Sequence, residues 1–209
     1  MLLKRNGIYL LVFILFSCQQ KNNNDTNKHE PTDTAQNNVG SLITPDQSAM
    51  DLSWCPSNYP LEQMQGNKQK LIARVIYSRP HKKGRRIFGK DSESLCMYGK
   101  PWRLGANEAT EITFFENVNI AGKNIEKGVY VLYCIPNENK WTLILNTNIY
   151  TWGLHIDERK DIFNTEIAVI QQSPVIEDFT ILFEDTKTGS NLIMAWDNVK
   201  AVLPIVFAH

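Results

Sequence analysis

Beyond Met50 the chain is written in short runs whose apolar residues recur at every second position, a period that suits strands and not helices. Val129, Val131, Tyr133 and Ile135 alternate with Tyr130, Leu132 and Cys134, which makes that run apolar on both faces. In Leu71–Ser78, Leu71, Ala73, Val75 and Tyr77 share one face, with Ile72, Arg74 and Ile76 on the other. Ile112 and Phe114 alternate with Glu111 and Thr113. Trp141, Leu143 and Leu145 follow the same rule, as do Phe179, Ile181 and Phe183, then Leu192, Met194 and Trp196, and last Val199, Ala201, Leu203 and Ile205. Turn residues separate the runs at Ala121-Gly122-Lys123, Lys127-Gly128, Pro136-Asn137-Glu138-Asn139 and Lys187-Thr188-Gly189. Sustained helical periodicity is missing, although Asp157–Phe163 and Ser92–Tyr98 each have room for a turn or two of helix. About seven to nine short strands without helical crossovers predict an all-β domain, an antiparallel β-sandwich or jelly-roll-like fold. Pro204 lacks the N–H that a central ladder needs, so the last strand is expected to end there or to lie at an edge.

The fifty residues before this region have a different character. Lys4 and Arg5 precede an apolar run from Ile8 to Phe16, shorter than the roughly 20 residues a bilayer span requires. Small Ser17 and then Cys18 follow. A basic start, a short apolar stretch and a small residue at the cut describe a secretory signal over residues 1–17. Leu15-Phe16-Ser17-Cys18 resembles a bacterial lipobox, which implies a lipidated Cys18 as the mature N-terminus. The alternative is an ordinary secretory peptide with an incidental cysteine. Several acyl chains on one Cys hold firmly, since each buried CH₂ contributes about 0.8 kcal/mol. From Gln19 to Asn38 there is no aromatic and no large aliphatic residue, so residues 18–50 are expected to form a disordered polar linker. Residues 51–209 then form the β domain, roughly 160 residues and enough for one core. Lipid anchor, linker and domain together place the protein at the cell envelope, outside the cytoplasm and on a membrane surface that it does not cross.

Charge excludes one class of partner. The whole chain carries 22 basic and 22 acidic side chains, and residues 51–209 carry 18 of each. A nucleic-acid binder shows a basic excess or face, so no nucleic-acid partner is expected. Nine Phe, seven Tyr and five Trp argue for a packed core.

Three cysteines remain after Cys18, namely Cys55, Cys96 and Cys134. Cys134 lies in an apolar strand and reads as a small core residue. If an exported domain forms one disulfide, Cys55–Cys96 is the favoured pair, since both lie in turn-rich segments. Among the histidines, His29 falls in the linker and His209 ends the chain, which leaves His81 and His155. His155-Ile156-Asp157 would put an imidazole and a carboxylate on one side of an extended segment, either as an oriented pair or as two surface groups. There is no G-x-S-x-G, P-loop, H-E-x-x-H or C-x-x-C, so neither a cofactor nor a metal is expected.

Polar chemistry gathers in one stretch. Tyr77-Ser78-Arg79-Pro80 leads through Lys83-Gly84-Arg85-Arg86-Ile87-Phe88-Gly89 to Trp102-Arg103-Leu104-Gly105-Ala106-Asn107-Glu108-Ala109-Thr110. Arg79, Arg85, Arg103, Asn107, Glu108 and Glu111 are the candidate polar network, because loops on a rigid β scaffold are where binding groups sit. Arg offers forked donors to carboxylate or phosphate, and Glu and Asn offer acceptors. The same residues could instead pair, Glu108 or Glu111 with Arg79, Arg85 or Arg103, and simply knit loops to the sheet.

These motifs, with Gly128-Val129-Tyr130, Trp141-Thr142-Leu143-Ile144-Leu145-Asn146 and Trp152-Gly153, resemble DUF2911, a domain-of-unknown-function family of exported bacterial proteins. The likeness runs from about Leu71 to Phe207. It implies a compact β domain and no established activity. Met97-Tyr98-Gly99 stands where members tend to have Pro-Tyr-Gly.

The residues thus point first to a non-catalytic module that binds a small molecule, glycan or envelope protein. An enzyme is the alternative, a hydrolase with Glu108 or Glu111 as general base and Arg79 and Arg103 on an anionic group. A purely structural envelope component is the third reading. Replacing Cys18 with Ala is expected to leave a soluble or unprocessed chain. Detergent partitioning that still finds the variant processed and membrane-bound overturns the anchor.

Overall fold

A computed structural model of the chain describes residues 46–207. The expected signal, Cys18, the linker up to residue 45, His29 and His209 lie outside the described residues. The alternating runs form strands β1 (Met50–Cys55), β2 (Ala73–Ser78), β5 (Glu111–Phe114), β8 (Gly128–Pro136), β9 (Lys140–Asn146), β10 (Asp161–Asp185) and β11 (Gly189–Phe207). Shorter strands are β3 (Phe88–Gly89), β4 (Cys96–Met97), β6 (Val118–Ile120) and β7 (Lys123–Ile125). The large sheet runs β1-β2-β5-β8-β9-β10-β11-β6-β7, with every pairing antiparallel. β3 and β4 form a small parallel pair. The chain is therefore all-β and sandwich-like, as the alternation predicts.

Its architecture comes from one bent hairpin. β10 and β11 span 25 and 19 residues, which fully extended would reach about 80 and 60 Å. They do not run straight. Register slips between Gln171 and Ile176 and again before Thr180, and Asp197 opposite adopts φ +56°. The first half of β10 pairs with β9, from Asp161 opposite Asn146 to Ala168 opposite Lys140. Its second half meets the exit of β2, where Phe179 N donates to Pro80 O (3.0 Å) and Lys82 N to Glu177 O (2.7 Å). Each arm so serves a different layer. β11 bends with it, and Phe207 N returns to Thr188 O, in the residue just before the same strand (3.1 Å).

Between the layers lies an aromatic cluster. Trp102 packs on Phe179 (centroids 4.9 Å), edge-on to Trp141 (5.7 Å) and stacked with Trp196 (5.9 Å). Phe88 closes the group against Trp141 at 5.3 Å. Such pairs add about 0.5–1.5 kcal/mol each beyond the area they bury. β8 is apolar on both faces because both are covered. Leu132 and Cys134 face this core, while Tyr133 turns outward under the segment after β9 and donates to Asp161 Oδ2 (2.8 Å).

Several expectations are corrected. Ser92–Tyr98 forms turns and β4, not helix, whereas Asp157–Phe163 does hold one helical turn, a 3-10 turn (Glu158–Lys160) before β10. A short helix α1 (Tyr59–Met64) occurs instead, started by Pro60. β11 runs through Pro204 to Phe207 and is not an edge strand. Pro204 is exposed and falls between the β10 ladder, which reaches Ala201, and the β6 ladder, which begins at Val206, so no N–H is missed there. Cys55, Cys96 and Cys134 are all buried and free, so Cys55–Cys96 is not a disulfide. Cys55 lies beside Ser190 while Cys96 neighbours Cys134, and burial pushes the Cys55 thiol up to about 12.

Phe179→Ala removes a fully buried ring from the cluster and is expected to cost about 3–5 kcal/mol. Urea denaturation reads this directly. A loss under about 1 kcal/mol would mean that the two layers do not depend on the cluster.

Candidate functional site

The segment Trp102–Thr110 crosses the end of the core. Its inward residues are fixed first. Trp102 N donates to Cys134 O (2.7 Å), Cys134 N donates back to Trp102 O (2.9 Å), and the indole N–H reaches Gly105 O (3.3 Å). Thr110 Oγ1 donates to Leu104 O (2.5 Å). Gly105 has φ +153°, and a Cβ there would sit 2.8 Å from Ser78 O, so only glycine lets the segment lie against β2. These contacts leave Arg103, Asn107 and Glu108 pointing outward.

A second segment, residues 147–157, is stitched across the first. Ala109 N donates to Thr151 O (3.1 Å), Tyr150 N to Glu111 Oε1 (3.2 Å) and Arg103 Nη1 to Trp152 O (3.0 Å). Gly153, at φ +74°, rests directly on its neighbour: a Cβ would lie 3.0 Å from both Ala109 Cβ and Arg103 Cβ. The stitched segment holds its large side chains in solvent. Tyr150 is 84% exposed, Trp152 54% and Leu154 65%.

This segment separates two clefts of opposite character. On one side, Glu108 and Glu111 line a cleft of about 380 Å³ with Met50, Ile76, Tyr150 and Trp152. On the other, Arg85 and Arg103 line one of about 370 Å³ with Trp102, Pro101, Leu95 and Leu154. Desolvation lowers the Arg103 guanidinium from its ordinary value, an effect that the charge of Glu108 partly offsets.

The structure thus divides the sequence-derived network. Glu108 and Glu111 come together, and so do Arg85 and Arg103. Arg79 stands apart. It pairs with Asp51 (3.1 Å) and donates to Phe179 O (3.2 Å) and Thr180 Oγ1 (3.0 Å), tying β2 to β1 and β10. Asn107 Nδ2 reaches Asp46 Oδ2 (3.0 Å) and Ser48 O (3.3 Å), which straps down the chain just before β1. Among the described residues, neither Glu108 nor Glu111 forms an ion pair with Arg79, Arg85 or Arg103. His155 is exposed and no hydrogen bond joins it to Asp157. Arg159 holds that carboxylate instead (2.8 Å) and keeps it below the usual range. The imidazole that does gain a carboxylate is His81, whose Nδ1 meets Asp178.

Tyr150 and Met50 were not singled out by sequence reasoning, and Trp152 served there only as a family mark. An exposed aromatic flanked by glycine is the one signal that marks the cleft. A family model described as Protein of unknown function (DUF2911) matches residues 59–205, starting at α1, upstream of the motifs that carry the resemblance. No curated protein and no solved structure matches the chain.

Two substitutions separate structural from site roles. Arg79→Gln loses an ion pair and two hydrogen bonds that join three strands, and is expected to cost about 1–2 kcal/mol. Glu108→Gln is expected to stay within about 0.5 kcal/mol. Thermal melting of both variants checks the contrast. Equal losses would place Glu108 in the scaffold.

Proposed function

The chain belongs to the DUF2911 family, whose description names no activity, and we propose that it is a lipid-anchored envelope module that binds a polyhydroxylated ligand such as a glycan. The observation that carries this reading is the pair of solvent-exposed rings, Tyr150 and Trp152, set beside Glu108 and Glu111 in one cleft. Rings left in water on a stitched loop are stable surfaces for an apolar face, because burying them recovers hydrophobic free energy with little ordering cost. The C–H face of a sugar ring is such a partner. Its hydroxyls donate, and two carboxylates accept. A mostly apolar concave wall with few convergent polar groups suits a small ligand better than a flat protein surface.

The anchor at Cys18 and the signal over residues 1–17 complete the proposal. They put the cleft outside the cytoplasm, where envelope glycans are, and make the membrane a partner through lipid alone.

A hydrolase built on Glu108 or Glu111 draws less support. The anionic group would have to be held by Arg79 and Arg103 together. Arg79 is engaged by Asp51, Phe179 and Thr180 and lines neither cleft. A binding role asks nothing of Arg79.

Calorimetric titration of the full chain in detergent with soluble envelope oligosaccharides tests the reading. Binding is expected, and Trp152→Ala is expected to weaken it about tenfold without changing the melting temperature. Silence across the panel, or a Trp152→Ala variant that binds as well as the parent, sinks it.

A further inference from the structure

The arginines of this protein settle their charge in three ways. Of the six described, Arg79, Arg86 and Arg159 each pair with a carboxylate, from Asp51, Asp91 and Asp157. Arg74 lies over the Trp54 ring, 5.6 Å from its centroid. That leaves Arg85 and Arg103, which have neither kind of partner, and both line the same cleft of about 370 Å³. No Asp or Glu lines that cleft.

Neutral carbonyls aim both guanidinium groups. Arg85 Nε donates to Lys82 O (3.0 Å) and its Nη2 to His81 O. Arg103 gives Nη1 to Trp152 O (3.0 Å). Carbonyls fix a direction without neutralising charge. Arg85 Nη1 and Arg103 Nε and Nη2 are left without hydrogen-bond partners among the described residues. Burial of Arg103 also lowers its guanidinium from the ordinary value, as expected of a cation in a partly dry wall, although the charge of Glu108, which makes no ion pair with it, offsets part of that effect. Pro101, Leu95 and Leu154 supply apolar surface beside the charges.

We propose that the cleft between Arg85 and Arg103 binds the carboxylate or phosphoryl group of a small organic anion with an apolar body. Planar forks match the geometry of such oxyanions, and a charge-assisted pair in a partly desolvated wall is stronger than its surface equivalent. The apolar wall takes the body of the ligand. This site lies across the Trp152-Gly153 step from the aromatic cleft and does not depend on what that cleft binds.

The test titrates the full chain in detergent with benzoate, phenyl phosphate and neutral benzyl alcohol. At least one anion is expected to bind and the alcohol is not. The tighter anion identifies the group as carboxylate or phosphoryl. Arg85→Gln, at an exposed position away from the core, is expected to weaken binding about tenfold or more. Arg103→Lys keeps the charge, loses the fork and is expected to weaken binding as well. Trp152→Ala keeps the carbonyl that aims Arg103 and is expected to leave anion affinity unchanged. The site is overturned if neither anion binds at millimolar concentration, if the alcohol binds equally, or if Arg85→Gln binds as the parent does. Loss of anion binding in Trp152→Ala overturns it too, by moving the anion to the aromatic cleft.

Discussion

Trp102 and Cys134 exchange both of their backbone hydrogen bonds, N to O at 2.7 Å and 2.9 Å, and much else follows from that exchange. It lays the start of a long connection against β8 as though it were one more strand. The Trp102 ring then drops into the core, where it meets Phe179, Trp141 and Trp196 at once. Those three rings come from β10, β9 and β11. Trp102 therefore ties both arms of the bent hairpin to the central sheet. Leaving a backbone pair open here would cost about 1–3 kcal/mol per group in addition to the lost packing.

The same fixation explains the alternation within Trp102–Thr110. Trp102, Leu104, Gly105, Ala109 and Thr110 are buried, and Arg103, Asn107 and Glu108 are not. A motif that reads as a single polar cluster is in fact a structural ladder with polar side chains on its outer rungs. Leu104 and Asn107 adopt φ of +54° and +53°, the bends that let the chain pass from one rung to the next. Strain of this kind persists where packing over-determines it. Here the indole bond to Gly105 O and the Thr110 bond to Leu104 O do so.

Legibility in the sequence follows the range of the interaction. β8 and β9 are legible because every inward residue is apolar and the loop between them is short. The first arm of β10 is not. Only Phe163 and Ile167 are fully buried there, Asn164, Glu166 and Ala168 on the opposite face are exposed, and Gln171 breaks the inward face, so the alternation is too thin to register. Bending was equally hidden, since it arises from register slips that depend on the opposite strand. Long-range partners were invisible for the same reason. Asp51 claims Arg79 from 28 positions upstream, and Asp178 meets His81 from 97 positions downstream. The candidate site was half legible: its charged residues stand in the motif, while the exposure of Tyr150 and Trp152, which marks them as candidates, is set by the fold.

Charge neutrality of the domain conceals a sharp local separation. Residues 51–209 balance 18 against 18, yet the carboxylates of Glu108 and Glu111 and the guanidinium groups of Arg85 and Arg103 sit in separate clefts, divided by one strip of backbone. Gly153 lies in that strip, where a Cβ would sit 3.0 Å from both Ala109 Cβ and Arg103 Cβ. Arg103 touches both halves: its Nη1 holds the carbonyl of Trp152, and its side chain lines the cationic cleft. A guanidinium can hold that carbonyl and still offer its other N–H groups in one fixed plane, whereas a lysine ammonium has three rotatable donors on a single atom and no bidentate face, so the two side chains are not interchangeable at 103.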